Sequence, residues 1–229
     1  MTQPLDQRRV RAVLFDIDGT LADTDDLLVD RLADRLEPWS FLFPERDTHA
    51  AARRLMMNAD NPFNGLYAWA DRLYLDELWA FVVGVLPLPH RPPASIETTP
   101  VPGAVPAVHT LAESYAVGVV TTRSTRSAAQ LLDALGLVDA FQVVANARST
   151  LRIKPHPAPI RWAAKQLAVP PTACLMVGDT SVDMRAARAA GAQAVGVLCG
   201  FGDRHELTEA GAQAVIESPA ELPDLLSRL

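Results

Sequence analysis

The order of elements written in this chain predicts an α/β protein, a doubly wound parallel sheet of Rossmann-like design with an all-helical unit inserted after its first strand. Three observations carry that expectation. An apolar run from Val10 to Ile17 reads as a buried strand and leads into Asp-Ile-Asp-Gly-Thr. The stretch from Thr24 to about Gly84 switches to helical spacing. From Ala116 onward, short apolar strands alternate with amphipathic helices, the rhythm of a parallel sheet covered on both faces.

Taken in order, residues 1 to 9 are polar and without period, and are expected to fray ahead of the first strand. Thr24 can cap a helix carrying Leu28, Leu32 and Leu36 on one stripe and ended by Pro38; Thr48 can cap a second. Asn61-Pro62 is an N-cap and first-turn pair for a third, with Leu66, Trp69, Ala70 and Leu73 on its apolar face. Leu86 to Pro102 holds six prolines, which forbid regular helix and fit a stiff linker back to the first unit. The later elements are expected at Ala116–Thr121 (strand), a helix ending at Leu135, Phe141–Ala145 (strand), Ala158–Ala168 (helix), Ala173–Val177 (strand), Val182–Ala190 (helix) and Ala192–Leu198 (strand). Residues 1–22 and 99–229 therefore form the core, and residues 23–98 a helical unit with its linkers.

Composition narrows the function. Acidic residues outnumber basic ones, for a net charge of -6, so the chain lacks the basic excess that nucleic acid demands, and an anionic ligand must be drawn by a few placed cations or a metal. No window approaches a membrane span and the start shows no apolar stretch with a cleavage site; the expected setting is cytoplasmic, without a membrane partner. Cys174 and Cys199 lie in apolar runs and read as buried strand thiols, and the five histidines have no metal-ligand spacing.

The chemistry-bearing residues lie at strand ends. Asp16 and Asp18, spaced by two in extended chain, project to the same side at the carboxyl edge of the sheet, where open α/β sheets bind ligands. Asp18-Gly19 is also a turn signal, whereas a calcium loop fails because Gly19 is misplaced and no Glu closes it. Gly178-Asp179 follows another apolar strand, and Asp183 lies about one helical turn beyond Asp179, where acids can serve a metal or simply the helix dipole. Thr121 ends a strand and can offer a hydroxyl or a turn cap. Lys154, before Pro155, shares the whole chain with one other lysine, Lys165, so it stands out against a background of arginine.

Together these residues resemble the haloacid dehalogenase (HAD) superfamily of aspartyl-phosphate hydrolases. Four motifs occur in the family's order: Asp16-Ile-Asp18-Gly-Thr, Val120-Thr121, Lys154-Pro155, and Gly178-Asp179 through Asp183. The helical block is similar to the family's cap. The tail, with Gly200-Phe201-Gly202, Ala210-Gly211-Ala212 and Ser218-Pro219-Ala220-Glu221-Leu222, is similar to the phosphoglycolate phosphatase branch, although Thr122 stands where that branch often has Asn.

The resemblance implies a Mg²⁺-dependent phosphatase acting on a small phosphorylated metabolite of the phosphoglycolate kind, as a monomer or homodimer. Asp16 is the implied nucleophile and Asp18 the proton shuttle. Thr121, Thr122 and Lys154 are the implied phosphate ligands, and Asp16, the Asp18 carbonyl, Asp179 and Asp183 the metal site. A carboxylate approaching a phosphate at about 4 Å meets roughly 4 kcal/mol of repulsion per charge pair at an effective dielectric of 20, which Mg²⁺ and Lys154 would cancel. Phosphomutase and pyrophosphatase activities on the same core are the alternatives, with Gly19-Thr20 leaning toward hydrolysis. Asp18 argues against dehalogenation, and the absence of lysine between residues 22 and 100 argues against phosphonatase chemistry. The non-enzyme alternatives are a signalling receiver domain, whose acids are arranged differently, and a catalytically silent phospho-ligand binder.

Overall fold

The computed structural model describes residues 4–23, 34, 36–43, 47, 48 and 99–227. Strands β1 (Ala12–Phe15), β4 (Ala116–Val120), β5 (Val143–Ala145), β6 (Cys174–Gly178), β7 (Gln193–Val197) and β8 (Ala214–Ile216) form one six-stranded sheet in the order β5-β4-β1-β6-β7-β8. Every pairing in it is parallel. The chain fills one half of the sheet from β1 through β4 to β5, then crosses back to start the other half at β6. Direction therefore reverses around β1, and the crevice beyond its carboxyl end is where such sheets take ligands. The expected α/β architecture is the observed one.

Alternation along the strands divides the interior into two layers. Val13, Phe15, Val117, Val119, Leu175 and Val177 pack with helices α1 (Ala104–Ala112), α2 (Thr125–Ala134) and α6 (Leu222–Ser227) through Val108, Leu111, Leu131 and Leu222. Phe141, ahead of β5, meets Phe15 edge to face with ring centroids 6.1 Å apart. On the opposite face Ala12, Leu14 and Met176 meet helices α3 (Ala158–Gln166), α4 (Ser181–Ala190) and α5 (Arg204–Ala210) through Ile160, Ala163, Met184, Ala187 and Leu207. Asp16 continues the Leu14 register and so points to the α3 and α4 side, the side from which its partners come.

Several expectations are corrected. The segment before β1 does not fray over residues 6–9: a 3₁₀ turn spans Gln7–Arg9, and Gln193 ties Asp6 to the start of β7, accepting from its N–H at 2.6 Å and donating to its carbonyl at 2.8 Å. Cys199 is not in a strand. It lies half-buried beyond the end of β7, its thiol 3.2 Å from the Gly19 carbonyl, while Cys174 is a buried strand thiol that burial pushes up to about 11. Helices α1, α5 and α6 and strand β8 are elements that periodicity did not announce. Pro106 hides α1, although a proline in the first turn forfeits no intrahelical bond.

In the inserted region, Leu36 is helical and Pro38 sits near the start of a 3₁₀ segment, Glu37–Leu42, so the proline changes the helix type rather than ending the run. Thr48 is itself helical and buried rather than a cap. The stripe of Leu28 and Leu32, the helix opened at Asn61-Pro62 and the prolines from Pro87 to Pro93 lie outside the described residues. Where the chain leaves and re-enters the core it makes a small antiparallel ribbon: β2 (Ala22–Asp23) pairs with β3 (Thr99–Pro100), Ala22 opposite Pro100 and Asp23 opposite Thr99.

Candidate active site

Three strands of the central sheet deliver carboxylates or a hydroxyl to one edge. Asp16 follows β1 and anchors its own N–H on the Val177 carbonyl of β6 at 2.9 Å. Thr121 follows β4, its N–H bonded to the Ala145 carbonyl at 2.9 Å, and is buried. Asp179 follows β6, and Asp183 lies in the first turn of α4. Carboxylate oxygens of Asp16, Asp179 and Asp183 all lie within 4.8 Å of one another, and all three residues are buried.

Lys154, in the loop before α3 and buried, points into this cluster. Its Nζ lies 2.6 Å from Asp183 Oδ1 and 2.9 Å from Asp16 Oδ1. Asp183 uses both oxygens: Oδ1 takes the lysine, while Oδ2 accepts from the Thr180 hydroxyl at 2.7 Å and the Thr180 N–H at 3.2 Å, a capping-box arrangement at the start of α4. The helix-start role and the cluster role suggested by the sequence are thus filled by one side chain. Asp179 Oδ2 accepts the Phe201 N–H at 2.9 Å, and its Oδ1 lies 3.4 Å from the Thr20 hydroxyl.

The acids fit because glycines stand where the chain passes closest to them. A Cβ on Gly178 would stand 2.5 Å from the Asp183 carboxyl, and one on Gly200 2.3 Å from Asp179 Oδ2. Gly202 is restricted in the same way: its N–H donates to the Asp179 carbonyl at 2.9 Å, and a Cβ there would stand 2.3 Å from that oxygen. Gly19 adopts φ 65°, the left-handed conformation glycine tolerates, in a turn closed by the N–H groups of Leu21 and Ala22 on the Ile17 carbonyl at 2.8 and 3.0 Å. That turn sends Asp18 outward and Thr20 inward.

Asp18 has a different partner. Arg123 Nε meets its Oδ2 at 2.7 Å and Arg123 Nη2 its Oδ1 at 2.5 Å, a two-pronged ion pair at the more open edge of the site. The Arg123 N–H also reaches the Thr121 hydroxyl at 3.2 Å. Thr122, between them, is exposed. Sequence reasoning gave no role to Arg123, Thr20 or the glycine cradle: Thr20, Gly178, Gly200 and Gly202 stand in stretches that carry the family resemblance, whereas Arg123 left no signal.

Charge decides what this cluster can hold. Burial pushes the Asp16 carboxyl up to about 7, against the pull of Lys154, and Asp183 and Asp18 add to the rise. Burial alone would lower the Lys154 ammonium, but Asp16 and Asp183 outweigh it and hold it above its ordinary value. Three buried carboxylates carry more negative charge than one ammonium cancels, and Asp16 Oδ1, although close to Lys154, accepts no well-directed hydrogen bond. Hard oxygen donors, excess negative charge and an unsatisfied oxygen are what a small divalent cation such as Mg²⁺ takes, and its charge would reverse the push on Asp16.

The model of the haloacid dehalogenase-like hydrolases matches residues 10–191. A phosphoglycolate phosphatase of Nitrosococcus oceani is 29% identical, over 94% of this chain and 96% of that protein. Another, of Rhodospirillum rubrum, is 32% identical over 94% of this chain and 90% of its own length. Among solved structures, a hydrolase of Pseudomonas syringae covers 96% of this chain and 99% of its own, at 25% identity and a TM-score of 0.66.

Proposed function

The chain belongs to the haloacid dehalogenase-like hydrolase family, and from that premise we propose that it hydrolyses a small phosphomonoester of the phosphoglycolate kind through a phosphoryl group carried on Asp16. The observation that carries this reading is the buried cluster itself: Asp16 at the carboxyl end of β1, 2.9 Å from Lys154, with Asp179 and Asp183 alongside. The phosphoglycolate preference draws on the names of the relatives and on the sequence resemblance of the tail.

In this reading an Asp16 oxygen forms the bond to phosphorus as the bond from phosphorus to the alcohol oxygen breaks, and Asp18 gives that oxygen its proton. A water then attacks the aspartyl-phosphate, Asp18 takes the water's proton, and the bond from phosphorus to Asp16 breaks to release inorganic phosphate. The enzyme returns to its starting state, with one water consumed. Lys154 offsets the charge shared by nucleophile and phosphoryl group, and the hydroxyls of Thr121 and Thr122 are offered to phosphoryl oxygens. Asp16, Asp179, Asp183 and the Asp18 carbonyl would hold Mg²⁺, which supplies further charge neutralisation between carboxylate and phosphate.

The test is phosphate release from 2-phosphoglycolate, several sugar phosphates, pyrophosphate and a phosphopeptide, with and without Mg²⁺. Mg²⁺-dependent release, greatest from 2-phosphoglycolate, is the expected result. No release from any substrate defeats the phosphatase reading, and a sugar phosphate or pyrophosphate as best substrate defeats only the phosphoglycolate assignment.

A further inference from the structure

The two-pronged pair between Arg123 and Asp18 poses a problem for any reaction in which Asp18 handles a proton. Both oxygens of the carboxylate lie in the guanidinium fork, at 2.7 and 2.5 Å, so the arginine competes for them with a leaving group or a water. The arginine is well seated. Its Nη1 donates to Ser127 Oγ at 2.8 Å, its N–H reaches the Thr121 hydroxyl at 3.2 Å, and its carbonyl accepts the Ala147 N–H at 3.0 Å. The backbone is thus fixed between the loops after β4 and β5 and Nη1 is tied to the start of α2, while Nε and Nη2 form the fork on Asp18, where the side chains of Arg123 and Asp18 are 17% and 29% exposed. A guanidinium fork matches one carboxylate at a time.

Resting on the phosphatase reading above, we infer that Arg123 is the specificity-determining residue: it exchanges Asp18 for an anionic group at the far end of the substrate, and that exchange frees Asp18 to act. The ligand class is a phosphomonoester with a second, carboxylate-type anion close to the ester oxygen. In a protein of net charge -6 such a group finds little long-range attraction, and the fork beside Asp18 supplies a local one. A phosphomonoester with a neutral tail leaves Arg123 on Asp18 and is turned over slowly.

The experiment compares 2-phosphoglycolate with 2-phosphoglycolamide, equal in size but without the second charge, on the parent and on Arg123→Gln at saturating Mg²⁺. The parent is expected to favour the acid in kcat/KM by roughly 10- to 100-fold, the range for a lost charge-assisted pair. In Arg123→Gln that preference collapses while kcat for the amide rises about fivefold, because Asp18 is no longer held. Arg123→Lys, which keeps the charge without the fork, falls between. Equal loss on both substrates, or a preference that survives Arg123→Gln, overturns the inference in favour of a structural arginine. Should Arg123→Gln not fold, a parent that treats acid and amide alike overturns it. Release from neither substrate by the parent removes the phosphatase reading itself.

Discussion

Asp16 and Asp18 are the same chemical group two residues apart, yet the structure places them in opposite circumstances. Asp16 is sunk beneath the sheet edge, sharing one lysine with Asp183 and facing other carboxylates, so burial drives its carboxyl upward. Asp18 is turned out by the Gly19 turn into the fork of an arginine at the more open side. The comparison teaches that role is set by partner and depth: the inner acid is built to share a cation, and the outer one to be held and released.

The sharpest way to break the contrast is Asp16→Asn, expected to lower kcat by at least about 10³-fold because the amide cannot carry the phosphoryl group. Its effect on stability runs the other way. The Asp16 carboxyl moves from 3.8 to about 7 on folding, so the folded state holds a proton that the unfolded state has lost between those values, and stability falls as pH rises through that window. Without Mg²⁺, Asp16→Asn should melt above the parent at pH 8 and alongside it at pH 3.5, checked by thermal denaturation. A variant that melts below the parent at pH 8 contradicts the inner-acid account.

Next in size, Asp18→Asn should cost roughly 10²- to 10⁴-fold in kcat, the range for a lost proton shuttle, while leaving Mg²⁺ affinity by titration calorimetry nearly unchanged. A full rate would assign proton transfer to another group. Lys154→Ala should lose about 10²- to 10³-fold, as for a removed charge-stabilising donor, whereas Lys165→Ala, exposed on α3, should keep the parent rate. Similar losses in the two variants would erase the distinction between cluster and surface lysine. The smallest expected effect is that of Gly200→Ala: its methyl would crowd Asp179 and weaken Mg²⁺ binding by about 10- to 100-fold, with the fold intact by circular dichroism.

Much of this was legible in the sequence because it rests on local rules. A strand end fixes where Asp16, Thr121 and Asp179 must emerge, and a helix start fixes Asp183, so the four motifs found one edge without any knowledge of tertiary structure. What remained hidden depends on distance along the chain. Arg123 lies far from Asp18 in sequence and among many arginines, and nothing in its own neighbourhood marks the pair. Gly178 matters for the Asp183 carboxyl that the turn into α4 folds back over it, and Gly200 for Asp179 atoms that come near only once β6 and the loop after β7 are side by side. Cys199 was misplaced because an apolar run does not say where a strand stops, and α1 was overlooked because Pro106 is read as a breaker unless its place in the first turn is known.

The ribbon of β2 and β3 carries a consequence of another kind. Asp23 and Thr99 are cross-strand neighbours, so everything numbered between them departs and returns through a gap that a two-residue hairpin turn could bridge. The cost of closing a flexible segment grows only with the logarithm of its length, about 0.6 kcal/mol per doubling. At this socket, segments of very different size can be exchanged at nearly constant thermodynamic cost to the sheet, and the carboxylate edge of the core can be inherited unchanged while the exchanged segment is rewritten.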